Sequence, residues 1–303
     1  MFYVRQKICW SLLIVTGFLV TDLPAQEIKW KLTTGDKFEV LCEQQTTTLT
    51  TVDKRQTKIN SFTSIAMNWT VTAVDDQGIG QIDQEISAIR LDVANPEVPS
   101  QAIAFDTASP TKPSLESAKI LKQVLPLRGL KFAVTMSPNG EIIDVTLPDE
   151  TQKVLRELPG ALRLQELFSE VGIKDLLGNS AIVLPDKTDR NSAGWTVQNT
   201  VNSSFGEFVR VRKYTIPANN SETGPDRVTL NMVTSMQPAE KISDKQPGGL
   251  ISFSETGDLV WDAARGFFVS SKILSTTKTA VPYHESKIET TVENTNSMTI
   301  KKN

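Results

Sequence analysis

Apolar and polar positions alternate in steps of two over much of the first 150 residues. Phe38, Val40 and Cys42 alternate with Glu39 and Glu43. Ile65, Met67, Trp69, Val71 and Ala73 alternate with Ala66, Asn68, Thr70 and Thr72. This is the spacing of strands with one buried face. Asp75-Asp76-Gln77-Gly78 supplies a turn, with Gly free to take positive φ. On the return strand Ile82 and Ile86 share a face. The phase then slips, and Ile89, Leu91 and Val93 fall on the other. One extra residue near Ser87-Ala88 produces that slip, which predicts a β-bulge.

Prolines at 96, 99, 110 and 113 mark a loop or irregular edge. Ser114 is placed to cap a helix running to about Leu125 and stopped by Pro126. Phe132, Val134 and Met136, then Ser137-Pro138-Asn139-Gly140, then Ile142 and Val145 read as a hairpin. After it the period changes. Asp149 is placed to cap a helix through Leu158 with Val154, Leu155 and Leu158 on one stripe, and Pro159-Gly160 ends it. A second helix is predicted from about Ala161 to Val171, and Ile173–Leu177 adds a turn closed by Gly178.

Strand patterns return afterwards. Val209 and Val211 interleave with Arg210 and Arg212, and Val228, Leu230, Met232 and Met236 share one face. Ser254 to Asp258 reads as a turn joining Ile251–Phe253 to Leu259–Trp261. Phe267, Val269 and Ile273 form another face. Ile288 and Val292 alternate with Lys287, Glu289 and Glu293. Gly35-Asp36-Lys37-Phe38 and Ala193-Gly194-Trp195-Thr196 open the two sets of strands in a similar way. The predicted fold class is α+β, mainly antiparallel β, with two similar curved β-sheet halves and a helical segment between them. The expected divisions are a signal peptide over 1–25, a first β-rich half over 26–147, a helical segment over 148–180 and a second β-rich half over 181–303. Helices on the concave face of curved sheets would resemble the architecture of periplasmic lipoprotein carriers.

The signal peptide is read from Arg5 and Lys7, the apolar run from Ile8 to Val20, and Leu23-Pro24-Ala25. It places the remainder in the periplasm, the cell envelope or the medium. The apolar run is shorter than the ~20 residues that cross a bilayer, and no later segment approaches that length. No transmembrane segment is therefore expected after signal cleavage. Removing 25 of the 303 residues leaves 278 and takes away Arg5, Lys7 and Asp22, moving the net charge from −3 to −4. Such a chain has no overall electrostatic attraction for nucleic acid. Of its two cysteines, Cys9 leaves with the signal. Cys42 is then unable to form an intramolecular disulfide, and its phase predicts a buried small hydrophobe.

Most catalytic chemistry lacks its residues here. His284 is the single histidine, and its setting after Pro282 reads as a surface loop or strand start. One His and one Cys cannot make a zinc site. G-x-S-x-G, H-E-x-x-H, C-x-x-C and Walker patterns are absent. Carboxylates remain. Asp75-Asp76 suits a hairpin turn, and Asp186, Asp189 and Asn191 have loop-like spacing that does not fit an EF-hand. Trp69 and Trp261 fall on core faces, while Trp30 and Trp195 stand at the openings of the two halves, where they suit plugging one end of a sheet. Asn68-Trp69-Thr70, Asn202-Ser203-Ser204 and Asn219-Asn220-Ser221 match glycosylation acceptors. No catalytic, cofactor-binding or metal residue is assigned.

Trp30 to Phe38, Trp69-Thr70-Val71 leading to Asp76-Gln77-Gly78, Phe105-Asp106, Met136 to Ile142, and Leu184-Pro185 to Gly194-Trp195 are short motifs spread over most of the chain. In them the chain resembles an uncharacterised family of exported bacterial β-rich proteins. The resemblance implies an exported, mostly β protein with a helical middle, and no activity. The expected function is a non-enzymatic binding or envelope-associated protein, holding an apolar small molecule between sheet and helices or meeting an envelope protein. The alternatives are a carboxylate-dependent hydrolase of envelope polysaccharide, which needs two acids about 5–10 Å apart, and a structural or interaction module. The last would use edge strands such as Thr46–Thr51 for β-augmentation.

Overall fold

Period-two stretches become long antiparallel strands in the computed structural model, which describes residues 28–158, 168–180, 183–185, 194–203, 206–217, 226–239, 249–284 and 286–303. Within them β1 (Lys37–Val52), β2 (Arg55–Val74), β3 (Gly80–Ala94) and β4 (Ile103–Asp106) precede α1 (Leu115–Val124). β5 (Lys131–Met136), β6 (Ile142–Thr146), α2 (Asp149–Glu157) and α3 (Glu170–Ser180) follow. The second set is β7 (Gly194–Ser203), β8 (Gly206–Thr215), β9 (Arg227–Pro238), β10 (Gly249–Asp262), β11 (Phe267–Tyr283) and β12 (Ser286–Lys302). The signal segment, the start of the second middle helix, Asp186, Asp189, Asn191 and Asn219-Asn220-Ser221 lie outside the described residues.

The fold is α+β and mainly antiparallel. Both sets of strands join one sheet, in the order β6-β5-β3-β2-β1-β12-β11-β10-β9-β8-β7, with β4 added alongside β3. The first set runs from the centre outward and the second from the edge inward. The likeness between the two openings is thus one of pattern, since β1 is central and β7 is an edge. Thr46–Thr51 do not form an edge: β1 pairs with β2 on one side and β12 on the other along this whole stretch. Its peptide groups are used within the sheet and are not free for β-augmentation.

The sheet curls. Trp195 Nε1 on edge strand β7 donates to Val183 O at 3.0 Å. The next residue, Leu184, donates its N–H at 2.7 Å to Asn139 O, in the turn between β5 and the other edge strand β6. Two consecutive residues therefore touch both flanks of the sheet. α3 lies inside the curl, packed on β6 and β12. One continuous core joins Val134 and Ile142 at one flank, Met298 and Ile300 at the centre, and Trp195 and Tyr214 at the other flank. Residues 28–34 cross one end: Trp30 N–H donates to Pro138 O and Lys31 N–H to Gly266 O, at 2.9 and 2.8 Å. Trp30 is buried there, edge-on to Trp261 with ring centroids 5.5 Å apart. It plugs that end, whereas Trp195 stacks on Tyr214 along the flank.

Several local expectations hold in detail. Ala66 pairs with Ala88 and Met67 with Ile86, so Ser87 is the extra residue of a bulge. Ser114 accepts from Ser117 N–H and caps α1. Others change. Pro148, in extended conformation, is the residue before α2, and Asp149 becomes its first helical residue without a capping bond. α3 continues through Gly178 to Ser180. Ser254 to Asp258 is not a turn: β10 is continuous, because Gly257 pairs with Ile273 on one side and Met232 on the other.

Candidate functional site

Four strands reach well past the helices. β1, β2, β11 and β12 have 16, 20, 17 and 17 residues. Their near parts build the core. Buried positions on the inward face stop at Cys42, Ile65, Ile273 and Met298. Beyond them, segments 44–52, 55–63, 275–283 and 286–296 continue as an arm about 30 Å long, at the usual strand rise of about 3.3 Å. The pairing of β1 with β2 and β12, and of β11 with β12, carries no register shift, so each residue's face follows from alternation.

The two faces of the arm differ in charge. The inward face, continuous with the core, carries Thr46, Thr48, Thr50 and Val52 on β1, and Ile59, Ser61 and Thr63 on β2. It continues with Val292, Thr290 and Ile288 on β12 and Thr277, Thr279 and Val281 on β11. Its single charged residue within these segments is Arg55, at the tip. The outward face of the same segments carries Lys58, Lys278, Lys287, Glu289 and Glu293. Every inward residue there is half-buried or exposed. Ile59, Val281 and Tyr283 are 41%, 38% and 46% exposed. The described residues thus leave an uncharged face of methyls, hydroxyls and carboxamides open to solvent.

At the base of the arm, charge is buried. Arg212 and Glu255 retain 4% and 8% of their exposure. Arg212 Nε donates to Glu255 Oε1 at 3.2 Å, and Thr234 Oγ1 donates to the same oxygen at 2.6 Å. Arg212 Nη1 donates to Gly178 O in the last turn of α3 at 3.1 Å. A cation at a helix C-terminus meets the unpaired carbonyls and the negative end of the dipole. The ion pair therefore fixes α3 against β8 and β10. Burial pushes the neighbouring Tyr214 hydroxyl above its ordinary pKa, with Arg212 opposing and Glu255 reinforcing the shift.

The chain is similar to lipovitellin, in a structure of lipid–protein interactions in that protein, with a TM-score of 0.47 and 9% identity over 89% of its own length. It spans a quarter of the lipovitellin chain, 25%. It is also similar to an outer membrane channel from Pseudomonas putida F1, with a TM-score of 0.26 and 8% identity over 90% of this chain and 97% of that one. No family model and no curated protein matches the chain.

The residues considered for chemistry are scattered. His284 sits exposed at positive φ in the β11–β12 turn, against the Tyr283 ring. Cys42 is a free, buried cysteine. Asp75 Oδ1 accepts from Gln77 and Ile79 N–H and shapes its turn. Trp69 and Trp261 are core residues, 3% and 0% exposed. Among the described residues no three His, Cys, Asp or Glu side chains are grouped to hold a metal ion. No described helix is long and apolar enough to cross a membrane.

Proposed function

We propose that this is an exported, non-enzymatic binding protein of the cell envelope that holds an apolar small molecule against the uncharged inward face of its arm. One observation carries the reading. In the arm segments the strand alternation sends five charged side chains outward and keeps all but the tip residue Arg55 off the inward face. A surface that faces only water gains nothing from such segregation. The inward face also continues directly from the core, so a ligand lying along the strands exchanges water for methyl groups at one end and for buried apolar side chains at the other. Under the helices most of the same face is filled by the protein's own side chains, so the apolar part of the ligand lies beyond them. The signal-like layout of residues 5–25 supplies the envelope setting.

The test uses the uncharged fluorescent probe N-phenyl-1-naphthylamine and two variants of one strand. Thr48→Lys puts a charge on the inward face and is expected to weaken probe binding tenfold or more. Thr47→Lys, one residue away on the outward face, is expected to leave it unchanged. Absence of probe binding, or equal effects of the two variants, would sink the proposal.

A further inference from the structure

We infer that the inward face includes a polar head-group subsite, and that its ligand is a neutral single-chain amphiphile whose head presents carbonyl or hydroxyl oxygens. This rests on the reading of the arm as the ligand surface. Six residues on successive strands stand directly opposite one another across the base of the arm. Thr46 faces Asn294, Asn294 faces Ser275, and Ser275 faces Glu255. Glu255 faces Thr234, and Thr234 faces Arg212. The row is half-buried at Thr46, Asn294 and Ser275, then buried at Glu255, Thr234 and Arg212. It forms a polar ledge running from solvent under the edge of α3.

Structural duties account for part of this ledge. Nε of Arg212 answers Glu255, and Nη1 caps α3. Nη2 is buried and meets no acceptor in hydrogen-bond geometry among the described residues, although the Tyr214 hydroxyl lies close to the guanidinium. In a planar guanidinium, Nη2 shares an edge with Nε–H, so it lies on the side turned to Glu255. A buried donor without an acceptor is costly, and an oxygen arriving along the ledge satisfies it. The chemistry also selects the kind of oxygen. Glu255 already balances the guanidinium charge, which leaves no net positive charge to draw a carboxylate or phosphate. The rest of the ledge offers hydroxyls and one carboxamide, with Thr46 Oγ1 donating to Asn294 Oδ1 at 2.7 Å. These groups pair with neutral donors and acceptors as readily as with each other. A chain on the uncharged face with a glycerol-ester head on the ledge fits both parts.

The experiment uses the full, delipidated protein with N-phenyl-1-naphthylamine bound, displaced by monolaurin or by laurate. Monolaurin is expected to displace the probe at a tenfold lower concentration than laurate. Arg212→Lys keeps a cation for Glu255 and the helix but removes the forked edge. Asn294→Leu alters only the half-exposed end, so it remains informative if the first variant does not fold. Each is expected to erase the preference for monolaurin over laurate. Equal displacement by both lipids, or tighter binding of laurate, overturns the subsite alone. So do variants that keep the preference. Loss of probe binding in the unaltered protein overturns the subsite together with the surface.

Discussion

Arg212 shows how a single residue escapes a pattern reading. Val209 and Val211 alternate with Arg210 and Arg212, which points the valines inward. The structure does the reverse: Phe208, Arg212 and Tyr214 are buried and the valines are half-buried. The clue was the phase of Phe208 and Tyr214, two larger apolar groups in step with the arginines. What the pattern could not supply was Glu255, 43 residues away and opposite Thr234, which makes an inward guanidinium affordable. Cys42 is the opposite case, since its place between Val40 and a strand partner left little freedom. Burial, aided by Glu43, pushes its thiol from an ordinary 9.0 up to about 12. The folded state therefore holds this proton more tightly than the unfolded state. The associated stability is intact below the unfolded value and is lost as pH rises from 9.0 toward about 12. In urea melts, Cys42→Ala is expected to lose less stability than the unaltered protein between about pH 8 and pH 10.5. The native thiol is also expected to resist a maleimide reagent at about pH 8. Rapid labelling would contradict its burial.

At the scale of elements, turns decided which expectations survived. Asp75-Asp76-Gln77-Gly78 and Ser137 to Gly140 carry their own local bonds and were legible. Ser254 to Asp258 carries similar turn-forming residues but lies on an interior strand, where neighbours on both sides hold it extended. Composition reports what a segment does alone, and pairing overrides it. The β1–β2 hairpin shows the converse. Asp53 and Lys54 both adopt positive φ, 47° and 72°, in a two-residue turn that bears no glycine. Such turns favour Asn-Gly, and a left-handed non-glycine residue costs about 1–2 kcal/mol. Lys54→Gly is therefore expected to stabilise the hairpin by about 1 kcal/mol. Slower amide hydrogen exchange along 44–52 and 55–63 would register it, and faster exchange would refute it.

For the molecule as a whole, the strand content and the helical middle were readable from periodicity. The joining of both strand sets into one curled sheet was not, because it depends on β1 meeting β12, a contact no local pattern encodes. The uncharged face was hidden for the same reason. Its alternation is visible only once four strands are set in register, since each strand alone reads as a polar, threonine-rich run. We propose that the two β-rich halves unfold together. Their core is continuous from Val134 to Trp195, with no interval of solvent between them. Urea unfolding followed by tryptophan fluorescence and by far-ultraviolet dichroism is then expected to give coincident single transitions. Two separated transitions would mean independent halves.

The central position of β1 and β12 also governs the order in which the protein can be made. Lys302 Nζ reaches Asp36 Oδ2 at 2.7 Å, although the two residues are 266 positions apart. A ribosome releases β2 through β6 long before the strand that flanks β1 on its other side exists. Until then β1 exposes a full row of peptide donors and acceptors, the kind of template on which other chains pair. Closing so long a loop is entropically costly and slow compared with zipping a hairpin. The middle of the sheet is thus the last seam to close. A nascent chain needs protection there until β12 arrives.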